Sequence, residues 1–200
     1  MKKLPIFEAK LTDEQDGVYC LSFVDFPATE VSWQVFKEDK PMQNFSIADE
    51  DKHIVRGVFM TANHLIYRID PSGMEYYITF SEDTLRQMSE RFLQYGFNQN
   101  VDTNHNAQLE KGIYLQEIFF KDVDKGINPV GFESVEDKSL FCQYRVDNDE
   151  VWDKIKDGTY TGFSLAGYFD TVEIQDPDEQ DFRECVELLN KINNKINKLK

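Results

Sequence analysis

Serine and histidine are the residue types in this chain that could carry nucleophilic catalysis together. Ser164 stands in "GTYTGFSLAGYFD" (158–170), among small and aromatic residues. A serine nucleophile needs a base to take its proton and a third group to hold that base. The three histidines, His53, His64 and His105, all precede Ser164. That order decides one matter. The α/β-hydrolase elbow is G-x-S-x-G with its histidine downstream. Here the spacing is G-x-S-x-x-G and no histidine follows, so that elbow is excluded. His105 has the most suggestive setting, in "NVDTNHNAQ" with Asp102, Asn104 and Asn106, a polar segment just ahead of an apolar stretch. Polar segments at strand ends are where site residues tend to be presented.

Metal-assisted hydrolysis is the competing chemistry. "DTNH" (102–105) puts a carboxylate near an imidazole, and Glu110 and Glu117 follow. No H-x-x-x-H, paired cysteines, calcium loop, Walker motif or dinucleotide glycine loop accompanies them. No cofactor is expected.

The elements around these residues read as mainly β. Strands are expected at 18–26, 53–60, 75–80, 112–120 and 139–146, from β-branched and aromatic enrichment and from turn signals such as "DPSG" (70–73). The polar stretch 37–52 reads as a loop. Leu85, Met88, Phe92 and Tyr95 recur at helical spacing over 82–95, with Ser81 as N-cap and Gly96 as terminator. A short helix at 149–157 carries Val151, Trp152 and Ile155 and stops at Gly158. The serine segment alternates: Phe163, Leu165, Gly167 and Phe169 face one way, and Ser164, Ala166, Tyr168 and Asp170 the other. Ser164 therefore belongs to a strand, on its less apolar face. A βαβ alternation is absent, so the expected fold is α+β, an antiparallel β-barrel with helices packed outside.

Residues 1–175 read as one domain and 176–200 as a helical tail. In the tail Phe182, Cys185, Leu189, Ile192, Ile196 and Leu199 are spaced alternately by three and four. That is the seam of a coiled coil able to join copies of the chain, or the buried face of a lone amphipathic helix.

Composition narrows the partners. With 37 acidic against 22 basic residues, the net charge is −15. Such a chain repels phosphate backbones and anionic lipid surfaces, so neither nucleic acid nor membrane is an expected partner. The cysteines, Cys20, Cys142 and Cys185, are too few and too scattered for a disulfide framework or a zinc knot. "MKKLPIFEAK" has no apolar h-region, and no apolar run approaches the length of a bilayer span, so a cytosolic protein is expected.

Four blocks, in order, resemble the tailed-phage prohead maturation proteases, in particular the XkdF-like phage serine proteases, which share a fold with herpesvirus assemblin. They are "SFVDFPATEVSWQVF" (22–36), "VDTNHNAQ" (101–108), "IYLQEIFFKD" (113–122) and "VWDKIKDGTYTGFSLAGYFD" (151–170). The last is the most specific, a short helix and glycine leading into G-[FY]-S-x-x-G-[YF]. The resemblance implies a herpesvirus-protease-like barrel and a serine endopeptidase. Ser164 would be its nucleophile, His105 its general base and Glu117 its third member, with Asp170 as second choice for that place. It further implies scaffold and major capsid proteins as substrates, cleaved inside the assembling prohead in the host cytoplasm. A non-catalytic head-assembly protein that retains the fold is the alternative.

Overall fold

A computed structural model describes residues 4–25 and 45–175. The tail predicted for 176–200 lies outside the described residues. Eleven strands and two α-helices make up the described chain: β1 (Ile6–Lys10), β2 (Gly17–Val24), β3 (Phe45–Asp49), β4 (Ile54–Met60), β5 (Ile66–Ile69), β6 (Glu75–Thr79), α1 (Glu82–Gln94), β7 (Val101–Thr103), β8 (Ile113–Phe120), β9 (Leu140–Val146), α2 (Asp149–Lys156), β10 (Gly162–Tyr168) and β11 (Asp170–Ile174).

The strands form three sheets, ordered β11-β1-β6-β5, β10-β2-β7 and β3-β4-β9-β8. They do not close into the expected barrel. Two of the pairings, β1–β6 and β2–β7, are parallel rather than antiparallel. A parallel neighbour needs a long crossover, and the crossover between β2 and β7 contains α1. The chain thus folds into open sheets around a common apolar centre. The coarser expectation, mostly β with two helices, matches what is observed.

Local chemistry accounts for the helices. The Ser81 hydroxyl accepts from the Thr84 amide at the start of α1, Glu82 and Asp83 occupy its first turn, and Leu85, Met88 and Phe92 are buried. Asn148 caps α2 by accepting from the Val151 amide, and Val151, Trp152 and Ile155 face inward. Both buried faces join one cluster with Val18, Leu21, Phe23, Phe45, Tyr144, Val146 and Phe163. No described helix is long and apolar enough to cross a membrane.

Candidate active site

The site is built on the three-stranded sheet. Across it, β10 pairs antiparallel with β2 so that Ser164 faces Ser22. On the other side of β2, the parallel pairing with β7 sets Ser22 against Asp102. Ser164, Ser22 and Asp102 therefore form one row across neighbouring strands, which are spaced by about 4.8 Å. All three side chains are buried.

The reverse side of these strands fixes the row in place. Phe163 and Phe23, each next in sequence to a row residue, are cross-strand partners with ring centroids 5.2 Å apart. Phe45 lies 5.2 Å from Phe163, and Tyr144 5.9 Å from the same ring. Edge-to-face and tilted contacts of this kind add to the burial energy of the rings. Aromatic residues thus hold the serine-bearing strands from behind, as the alternation of "GFSLAGYF" predicts.

His105 comes from the turn that follows β7. Asn104, His105 and Ala107 have φ of 50°, 53° and 59°, left-handed values that non-glycine residues adopt at a cost of roughly 1 kcal/mol or more each. Hydrogen bonds hold the turn in this form. The Asn104 amide donates to Phe23 O at 3.0 Å, and the Asn106 amide to Thr103 O at 3.1 Å. The Ala107 amide donates to Asp102 Oδ2 at 3.0 Å. The result swings the imidazole back over the sheet, still exposed on its outer side.

His105 Nε2 lies 2.8 Å from Ser164 Oγ. Its other nitrogen, Nδ1, lies 2.9 Å from Ser22 Oγ. The Ser22 hydroxyl in turn donates to Asp102 Oδ1. The side chains form one continuous chain: Ser164, His105, Ser22, Asp102. Such a contact between a hydroxyl and a neutral imidazole is what a general base needs in order to take the serine's proton.

Neither of the acids expected to hold the imidazole does so. Both ring nitrogens are engaged, one by Ser164 and one by Ser22. Glu117 belongs to β8 in a different sheet, opposite Gln143, and lines a shallow depression with Arg56, Phe119 and Pro129. Asp170 opens β11 opposite Lys10, where its carboxylate accepts from the Thr12 hydroxyl. Ser22 was not among the expected site residues. Its signal in the sequence is faint, a single serine within the apolar strand "VYCLSFV".

His53 and His64 take no part. His53 stacks on Trp152 with centroids 4.4 Å apart, and its Nδ1 is 3.2 Å from Val146 O. His64 lies in the exposed turn before β5. Cys20, two residues before Ser22, is the nearest thiol in sequence to the row. Burial, reinforced by the Asp102 carboxylate, pushes its pKa up to about 11, so it remains a protonated thiol at neutral pH and a poor nucleophile. Among the described residues no three His, Cys, Asp or Glu side chains are grouped to hold a metal ion. The carboxylate of "DTNH" is instead engaged by the Ser22 hydroxyl and the Ala107 amide.

No curated protein and no solved structure matches the chain. A family model described as "Putative phage serine protease XkdF" matches residues 42–173. That span covers Asp102, His105 and Ser164 and leaves out β2 with Ser22. Because it also covers more than half of the 200 residues, the chain belongs to the XkdF family that this model describes.

Proposed function

We propose that the chain is a serine endopeptidase of phage head maturation, with Ser164 as nucleophile and His105 as general base. The observation that carries this reading is the 2.8 Å contact between His105 Nε2 and Ser164 Oγ. Membership of the XkdF family supports the same reaction class. In the acylation step His105 Nε2 takes the hydroxyl proton as Ser164 Oγ attacks the scissile carbonyl carbon. The imidazolium then returns that proton to the leaving amine as the C–N bond breaks. Water, deprotonated by the same nitrogen, releases the acyl group and restores Ser164.

The developing oxyanion needs a donor. On β2 the Leu21 amide donates to Asn100 O, and Phe23 O accepts from Asn104, so these two residues turn their backbone groups toward β7. Ser22 then turns its own toward β10, and alternation directs the Leu165 N–H away from β2. We assign this amide, next in the chain after the nucleophile, as an oxyanion donor.

Scaffold and major capsid proteins are the proposed substrates, and the assembling prohead in the host cytoplasm the proposed place of action. The kinship with herpesvirus assemblin belongs to the same proposal. The test is co-expression of Ser164→Ala with the scaffold and capsid proteins of the same phage. Loss of processing is expected. Processing at the wild-type rate would overturn the protease reading and favour a structural role in head assembly.

A further inference from the structure

We propose that Ser22 and Asp102 are a two-residue positioning relay that sets which nitrogen of His105 carries the proton. The proposal deepens the protease reading above and rests on it for its functional meaning. Its geometric content can be tested separately.

Counting protons gives the direction of every bond. As a carboxylate, Asp102 can only accept. Its Oδ2 takes the Ala107 amide at 3.0 Å, and its Oδ1 takes the Ser22 hydroxyl. A serine hydroxyl has one proton to give, so toward His105 the Ser22 oxygen can only accept. At 2.9 Å from Ser22 Oγ, Nδ1 must therefore carry the hydrogen. The remaining nitrogen, Nε2, then presents its lone pair to Ser164 Oγ at 2.8 Å. That is the tautomer a general base requires, and the chain of bonds leaves no other.

The β-ladder explains why a hydroxyl sits between acid and imidazole. Asp102 is two strands from Ser164, about 10 Å at ordinary strand spacing. An imidazole seated on Ser164 meets the middle strand first, and Ser22 occupies that strand in register with both. The row is fixed by backbone pairing and the imidazole by the strained turn, so each member of the relay has an independent support.

Asp102→Asn gives the sharpest consequence. The Ala107 amide donates at the Oδ2 position, so an asparagine would place its oxygen there and turn its NH2 toward Ser22. Ser22 would then receive a hydrogen bond and point its own proton at Nδ1. The tautomer inverts, and Nε2–H can no longer accept from Ser164.

The experiment uses the full chain labelled with 15N in histidine, whose three histidines keep assignment simple. Long-range 15N–1H correlation reports the tautomer of each ring. A fluorophosphonate reports the reactivity of Ser164 across pH. In the wild type His105 is expected as the Nδ1–H form. Ser22→Ala should lose that preference and slow labelling by about 10- to 100-fold, the range set by one charge-assisted hydrogen bond. Ser22→Thr, which keeps the hydroxyl, should retain both. Asp102→Asn should show Nε2–H and slow labelling by at least about 100-fold. An Nε2–H wild type overturns the relay even if every variant fails to fold. So does a Ser22→Ala protein with unchanged tautomer and labelling rate. If the wild type is never labelled yet the tautomer follows Ser22 and Asp102 as stated, the relay stands and the protease reading falls.

Discussion

Gly167→Ala should destabilise the protein strongly, for a reason of space rather than conformation. A Cβ at Gly167 would lie 2.6 Å from Gly17 O and 2.9 Å from Phe169 Cε2. An unstrained carbon–oxygen contact is about 3.3 Å, so β10 and β2 would have to part by about 0.7 Å. The ring of Phe169 can move, but the carbonyl of Gly17 is backbone, held where Gly167 faces Val18 and Tyr168 faces Gly17. Overpacking of this kind costs about 1–3 kcal/mol, and one ladder hydrogen bond lost adds about 1 kcal/mol. The expected loss is therefore about 2–4 kcal/mol, which for a chain of this size lowers Tm by roughly 5–15 °C. Equilibrium denaturation of both proteins measures it. Gly158→Asn is the control, since Gly158 has φ of 78° with nothing near its missing Cβ, and asparagine tolerates that conformation. A Gly167→Ala protein within about 0.5 kcal/mol of wild type, the scatter of ordinary surface substitutions, would refute the close approach of β10 to β2 at this bulge.

Lys121 is buried with its ammonium donating to Phe132 O, Glu133 O and Val135 O at 3.1, 2.9 and 2.6 Å. Lys121→Met should cost about 2–4 kcal/mol in denaturation, because three carbonyls lose their donor while the desolvation cost of the charge is relieved. Asp122 is held down to about 2 by hydrogen bonds from Lys125 and then Lys138. Its folded value lies below its unfolded one, so its contribution to stability is complete above about pH 4 and fades as pH falls toward 2. Asp122→Asn should flatten the stability profile over that window, as read by denaturation at stepped pH. Glu117→Gln should leave fluorophosphonate labelling of Ser164 within about twofold of wild type, since distant sites with no shared partner act independently. A large drop would return Glu117 to the site.

Legibility in the sequence followed the range of the forces involved. Strands β4, β6, β8 and β9 and both helices were placed within about two residues, because their buried faces are written in local periodicity. Five strands, β1, β3, β5, β7 and β11, were missed, for tertiary reasons. Strand β7 is three residues of a polar segment, a strand only because β2 pairs with it in parallel. Strand β3 lies wholly within the stretch 37–52 that its polarity marks as a loop, and Ile47 and Ala48 leave only a weak alternation there. Strands β1, β5 and β11 are short edge or near-edge elements with little apolar pattern of their own. The barrel expectation failed because nothing local to β1 or β2 announces a parallel neighbour. At the site, alternation puts Ser164 on the less apolar face of its strand and a polar setting marks His105, but the pairing of the two comes from the family resemblance. Glu117 comes from the family resemblance and Asp170 from its strand face, and neither criterion carries register. Ser22 becomes visible only when three strands align, which is a property of the ladder and not of any one segment.

The central claim is that His105 makes Ser164 nucleophilic. Peptide mapping of the full chain after fluorophosphonate treatment tests it most directly. The adduct should map to Ser164, disappear in Ser164→Ala, and form at least about 100-fold more slowly in His105→Gln, the scale of general-base assistance. No adduct on Ser164, or one that forms equally fast without the imidazole, would contradict the account.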